Sequence, residues 1–275
     1  MTRMISYKDK DTWIHRLSGF TKLLFFILWC TVSALTYDTR VLVIMILIGL
    51  YIFAASKTEW EQISSVFKAV MFFMILNLIF IYIFAPNQGH IIYGSRHVLI
   101  HLPGAYSLTA EQLFYELNVM IKYFTVVPAA FIFLITTNPS EFAASLNGVG
   151  VPASISYSVA ITLRYIPNIQ DEYHKIRNAQ EARGIELSSK GKLKDRIRNT
   201  AAIIFPLLFT SMDRIDTVSN AMELRGFGKK KKRTWYSRKV LSRNDIMVIV
   251  FIIVFSVFSL VFTYYDGSRF YNPFI

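Results

Sequence analysis

The sequence predicts an all-α integral membrane protein, with about five transmembrane helices and a cytoplasmic segment of one short and two long amphipathic helices. Three observations carry this. The 275 residues are 53% hydrophobic and only 17% charged, whereas a soluble globular domain carries about 25% charged residues. The apolar residues fall in long blocks. The net charge of +12 is concentrated, because residues 138–243 hold nineteen Lys and Arg against nine Asp and Glu, a net of +10. The single Cys30 excludes an intramolecular disulfide framework and a cysteine zinc cluster.

Five blocks approach the roughly 20 residues that a helix needs to cross a bilayer: Phe20–Tyr37, Val41–Ala55, Val66–Ala85, Val119–Thr137 and Ile246–Tyr265. The first follows Arg3, Lys8, Lys10, Arg16 and Lys22 and has no small-residue cleavage site after it, so it reads as a retained helix. The loops Tyr37–Arg40 and Pro86–Asn118 carry only Arg40 and Arg96. Lys and Arg mark cytoplasmic segments, which places the N-terminus and the basic segment in the cytoplasm and Asp266–Ile275 outside. The chain divides into residues 1–137 (four spans), 138–243 (cytoplasmic) and 244–275 (last span and external end). Near the fourth span, Lys122 and Glu116 are expected at the outer end, with Lys122 reaching to the headgroups. Asn77 is expected to make an interhelical hydrogen bond.

The cytoplasmic segment contains a repeat. Asn178-Ala179-Gln180-Glu181-Ala182-Arg183-Gly184 and Asn220-Ala221-Met222-Glu223-Leu224-Arg225-Gly226 both read Asn-Ala-x-Glu-x-Arg-Gly, offset by 42 residues. At that offset Asp171 matches Asp213, and Ala160-Ile161 matches Ala202-Ile203. Each copy ends an amphipathic helix. Ile155, Val159, Thr162, Ile166, Ile169, Tyr173 and Ile176 recur at helical spacing, as do Ile204, Leu208, Ser211, Ile215, Val218 and Met222. Such a face is expected to be buried against something apolar.

Seven residues past Ile176 and Val218 stand Arg183 and Arg225, which the helical period returns to within about 20° of those residues. Both arginines are therefore expected on the buried face. Gly184 and Gly226 suit the left-handed residue just past a helix end. The arginine favours the negative end of the helix dipole and offers a planar fork for several acceptors. Ala179 and Ala221, one turn back, let a partner surface come close. One such tip would be a simple helix cap. Two with the same Asn, Ala, Glu and Arg point to a partner with two equivalent sites, most simply a dimer.

Asn138 or Ser140 is positioned to cap a short helix Glu141–Leu146, and Gly148 and Gly150-Val151-Pro152 then turn the chain. Pro167 and Pro206 should kink the two long helices. There is no phosphate-binding loop of the Gly-x4-Gly-Lys-Ser/Thr type and no Gly-x-Ser-x-Gly elbow. Of the five histidines, His97 and His101 share helical spacing with His90 nearby, but no carboxylates cluster there, so no metal site is assigned. Lys229, Lys230, Lys231, Lys232 and Arg233, just before the last span, are read as topogenic and anionic-lipid contacts, not as a nucleic-acid site.

These features resemble the transmembrane T component of energy-coupling factor (ECF) transporters, the CbiQ-like permease family. The resemblance rests on His15-Arg16-Leu17 with Lys22, Asn138-Pro139, Gly150-Val151-Pro152, Leu163-Arg164-Tyr165-Ile166-Pro167 and the two Arg-Gly motifs. Ser18-Gly19-Phe20 stands where the family has Asp-Pro-Arg, and Leu224 where many members have Ala. The resemblance implies a bacterial or archaeal cell-membrane scaffold without a cofactor of its own. It would join two ATP-binding-cassette ATPases, which hold ATP and Mg, to a substrate-binding membrane (S) component for vitamin or trace-metal uptake. It implies that Ala182-Arg183-Gly184 and Leu224-Arg225-Gly226, with Ala179, Glu181, Ala221 and Glu223 in the same motifs, dock on the ATPases. Two other readings are weighed. A membrane enzyme acting on lipid or isoprenoid would need clustered acids, of which Asp171, Glu172 and His174 are the nearest approach. A self-sufficient channel or carrier would need polar residues lining several spans.

Overall fold

The polar residues that interrupt the apolar blocks become helix caps, and these set the element order: α1 (Trp13–Arg16), α2 (Gly19–Leu35), α3 (Thr39–Ala55), α4 (Trp60–Phe84), α5 (Gln88–Tyr93), β1 (Val98–Ile100), β2 (Leu108–Thr109), α6 (Ala110–Thr136), α7 (Pro139–Gly148), α8 (Ala153–Ala182), α9 (Leu193–Leu224) and α10 (Arg243–Tyr264). The computed structural model describes residues 10–101, 106–185, 193–228, 235, 239–265 and 267–274. Side chains of Ser18, Asp38 and Thr109 each accept a backbone N–H from the first turn of the following helix, and Ser242 with Asp245 forms a capping box on α10. The chain forms two compact units, Met1–Ser145 with Arg238–Ile275, and Leu146–Ser237.

The protein is an all-α membrane protein. Ile63–Phe84, Ala110–Thr136 and Arg243–Tyr264 are long and apolar enough to cross a bilayer, while Gly19–Leu35 and Thr39–Ala55 are shorter apolar helices. At 17 residues each, the two short helices lie at the lower limit for a span. In the first unit α6 packs against α2, α3 and α4, and α10 packs on α2. Trp29 is fully buried with Val32, Val41, Met45, Ala129 and Ile252. It stacks on Phe25 at 5.1 Å and Phe255 at 5.7 Å, and its Nε1 donates to the Thr125 carbonyl at 3.1 Å. Lipid tails are as apolar as these side chains, so dispersion and such hydrogen bonds hold the helices together. Phe72, Phe73, Ile79 and Phe84 on α4 stay exposed, which suits a surface facing lipid.

The fourth span begins at Ala110, earlier than the expected Val119, and Pro86–Asn118 is not a plain loop. It holds α5, the antiparallel β1–β2 hairpin and the first turns of α6. The reason is that its polar residues are satisfied internally. Glu111 is fully buried and accepts the backbone N–H of His97 at 3.0 Å and its Nδ1 at 2.7 Å. Gln112 accepts the Gly89 N–H at 2.9 Å. One carboxylate thus stands beside His97, and among the described residues no three His, Cys, Asp or Glu side chains group as metal ligands. Lys122 reaches the end of α2. Its Nζ sits 3.2 Å from the centre of the Tyr37 ring and donates to the Ala34 carbonyl at 3.2 Å, so it is used within the bundle. The interhelical amide contact is made by Asn118, whose Oδ1 accepts the Thr39 hydroxyl at 2.7 Å.

At the other end of this unit two buried charges close the bundle. Lys22 donates to the Thr136 carbonyl at 2.6 Å and the His15 carbonyl at 3.3 Å. Asp245, only 1% exposed, accepts the Ser18 N–H at 2.8 Å, the Thr21 hydroxyl at 2.7 Å, and both the N–H and hydroxyl of Ser242. It therefore fastens the start of α2 to the start of α10. Helix α7 lies against α2 at Gly19, where an added Cβ would stand 2.7 Å from Ser145 Oγ and 3.1 Å from the Glu141 backbone oxygen.

Helix α7 is longer than the expected Glu141–Leu146. Asn138 caps it by accepting the Ser140 N–H at 3.0 Å, and Pro139 occupies the first position, where its missing N–H is not needed. In the second unit α8 and α9 both continue through Pro167 and Pro206. A helical proline frees the carbonyl four residues back. For Pro206 that carbonyl belongs to Ala202, and it takes the Gln180 side-chain amide at 3.2 Å.

Candidate functional site

The two Arg-Gly motifs fold identically. Gly184 and Gly226 have φ of 84° and 67°, the left-handed conformation that a Cβ disfavours. Behind the first, the Ile185 N–H bonds to the Gln180 carbonyl and the Gly184 N–H to the Glu181 carbonyl. Behind the second, Phe227 bonds to Met222 and Gly226 to Glu223. Each is a complete Schellman motif, so the backbone at both tips is hydrogen-bonded without outside help and turns away sharply.

Arg183 and Arg225 are exposed, as are Ala179, Glu181, Ala182, Gly184, Ala221, Glu223 and Leu224, with Gly226 half-buried. This corrects the expectation that the arginines lie on a buried face. Arg183 is the cap residue, with φ −83° and ψ 4°, and still follows the helical period; it is exposed because the face it shares is itself uncovered away from the helix crossing. Within the first motif Glu181 pairs with Arg177 at 2.9 Å. Lys229–Arg233 lie outside the described residues.

The apolar stripes are also less covered than expected. Ile155, Ile166, Ile169, Ile204, Leu208 and Ile215 are all exposed. The physical reason is the geometry of two long helices that cover each other only near their crossing. A cleft of about 380 Å³ opens there, lined by Ile161, Thr162, Tyr165, Ile166 and Ile169 of α8 and by Ser211, Ile215, Val218 and Met222 of α9. The start of α8 thus faces the end of α9, while Gln180 near the end of α8 meets Ala202 near the start of α9. The helices run antiparallel, and Arg183 and Arg225 lie at opposite ends of the pair.

Sequence reasoning missed the contact at the centre. Arg214 of α9 pairs with Glu172 of α8, and its guanidinium stands 5.7 Å from the centre of the Tyr165 ring. The signal was present, since Glu172 and Arg214 are 42 residues apart, the offset of the repeat, and opposite in charge. Glu172 is thereby committed to Arg214, while Asp171 and His174 are exposed, so the three do not form an acidic cluster. Also missed was the bracing of the second tip: Phe227 packs on Tyr157 of α8 at 4.7 Å, and Tyr157 also faces Trp235, whose Nε1 donates to Asn147 at 3.2 Å.

Comparison with known proteins agrees with this layout. The family described as CbiQ, cobalt transport protein, matches residues 10–236. The energy-coupling factor transporter transmembrane protein EcfT of Leuconostoc gelidum subsp. gasicomitatum is 28% identical over 255 residues, covering 88% of each chain. Its namesake from Lactococcus lactis subsp. cremoris is 26% identical, over 91% of this chain and 94% of its own. That of Bacillus subtilis is 22% identical, over 90% and 93%. These are transporter components and not a family of catalytic enzymes. The matched residues include all the described spans but the last, and both Arg-Gly tips. The chain belongs to the CbiQ family, as a cell-membrane T component of an ECF transporter.

Proposed function

We propose that this chain is the coupling scaffold of an ECF-type importer, joining two cytoplasmic ATPases to a separate membrane subunit that captures a vitamin or trace-metal ion. The observation that carries the reading is the pair of tips, with the same sequence, the same Schellman backbone and an exposed arginine at each. Each tip stands eleven residues past the Glu172–Arg214 contact, about 16 Å at the rise of an α-helix, so about 30 Å separates them along the pair. A partner with two equivalent sites at such a spacing is a dimer, and its ATP-driven closing alters the distance between those sites.

In this reading Arg183 and Arg225 insert into acidic or carbonyl-lined hollows, where the planar guanidinium makes several charge-assisted bonds. Ala179 and Ala221 allow close approach. The two ATPase-bound states differ in the tip separation they accept, and that difference shifts the scaffold between its own states. The basic segment and the N-terminus are placed in the cytoplasm, the C-terminal end outside, and Lys229–Arg233 against anionic lipid. ATP and Mg are held by the ATPases.

The test is charge reversal. Arg183→Glu with Arg225→Glu should leave an inserted chain that no longer retains ATPases on purification in mild detergent and no longer supports uptake. Full uptake by the double variant refutes the reading.

A further inference from the structure

Residues 160–184 and 202–226 repeat at an offset of 42, and the helices that carry them cross where Glu172 meets Arg214, themselves 42 apart. A contact between equivalent positions lies on the axis that exchanges the two copies. One further contact is consistent with the same symmetry. Exchange of copies converts the observed pair Gln180 with Ala202 into Ala160 with Met222, and Met222 lines the same cleft as Ile161, the neighbour of Ala160. Residues 160–184 and 202–226 therefore form a pseudo-two-fold pair whose axis passes through one ion pair.

We infer that Glu172 and Arg214 are positioning residues, a pivot that fixes the point at which α8 and α9 cross and so the placement of the two tips. This rests on the docking reading for its consequence, though not for its geometry. The surroundings favour one well-defined contact. Most of the crossing is apolar, formed by Ile166, Ile169, Ile215 and Val218; ridges packed into grooves prefer a few crossing angles but leave the register, the point along each helix where they cross, weakly set. The ion pair is half-buried and Arg214 is steadied by the Tyr165 ring. It is one-armed: Glu172 Oε1 takes the arginine, while Oε2 is buried with no partner among the described residues. A two-armed fork would fix orientation as well as position. A single contact fixes the position and leaves the helices free to turn about it.

The experiment replaces the only cysteine, Cys30, by alanine and attaches spin labels at Ser158→Cys on α8 and Leu224→Cys on α9. Both positions are exposed, and both stand well out from the crossing on neighbouring arms. The label-to-label distance is measured in the purified full chain in nanodiscs. Glu172→Gln or Arg214→Gln should broaden or shift the distance distribution. In unlabelled chains the same changes should leave the ATPases bound but lower uptake about tenfold, in the range expected for coupling residues that touch no ligand. Because the two positions are equivalent in the repeat, the exchanged variant Glu172→Arg/Arg214→Glu should restore both the narrow distribution and uptake, whereas Glu172→Arg alone should not. An unchanged distribution in the single variants, or an exchanged variant as broad as the singles, overturns the pivot. Failure of the wild-type chain to retain ATPases would instead overturn the docking reading, while the distance measurement still decides the pivot.

Discussion

Replacing Gly184 by alanine isolates the conformational part of docking. Gly184 has φ of 84°, and nothing lies within 4 Å of where a Cβ would stand, so the substitution meets no steric obstacle. What it meets is the left-handed backbone, which costs an L-residue about 1–2 kcal/mol. Loss of glycine's freedom in the unfolded chain offsets at most about 1 kcal/mol of stability, and it does not offset binding, since the bound tip must still adopt φ > 0. A free alanine tip relaxes and gives up the bonds from Ile185 to Gln180 and from Gly184 to Glu181, and docking must restore them. At 1.4 kcal/mol per factor of ten, ATPase affinity should fall roughly 5- to 30-fold, with little change in insertion or thermal stability. Gly184→Asn should recover most of it, because asparagine tolerates the left-handed region. The assay is titration of purified ATPases onto the chain in nanodiscs. Wild-type affinity in Gly184→Ala, or equal loss in Gly184→Asn, would refute the argument, the second result by showing that bulk and not backbone conformation is what the partner rejects.

Further predictions concern the membrane unit. At Gly89 an added Cβ would lie 2.4 Å from the Gln112 nitrogen and the Glu111 carbonyl carbon. Backbone cannot swing aside, so Gly89→Ala should destabilise the chain more than Gly19→Ala, whose nearest contact is the movable Ser145 hydroxyl. For Gly19→Ala about 1–3 kcal/mol is expected, with partial recovery in Gly19→Ala/Ser145→Ala; thermal unfolding in detergent ranks the three, and the reverse order would be the failing result. Asp245→Asn keeps the shape but turns an amide donor toward the groups that now donate to Asp245, and should cost about 1–3 kcal/mol; a wild-type melting temperature would show that the bundle end does not depend on this carboxylate.

The residues legible in the sequence were those whose role is local. The spans showed as apolar blocks, Asn138 had the chemistry to cap α7 and does so, and the repeat at an offset of 42 marked both tips together with their left-handed glycines. A helix end is built within a few residues, so its signature is contiguous. A periodic apolar face implies burial of Arg183 and Arg225 only if it is covered along its whole length, whereas α8 and α9 cover each other only near their crossing. Glu111 and Gln112 were read as loop because their partners, His97 and Gly89, come from other elements.

Tertiary structure alone decided which distant positions meet. Whether Glu172 finds Arg214 depends on the angle and point at which helices of 30 and 32 residues cross, and no window along the chain contains that angle. The same holds for Asp245, whose donors at Ser18 and Thr21 come from more than 220 residues away. Hydrophobic period and cap chemistry are set turn by turn, so the sequence by itself determined the helices and their tips. A buried charge is stable only where its partners arrive together in space, and only the packed structure brings them there.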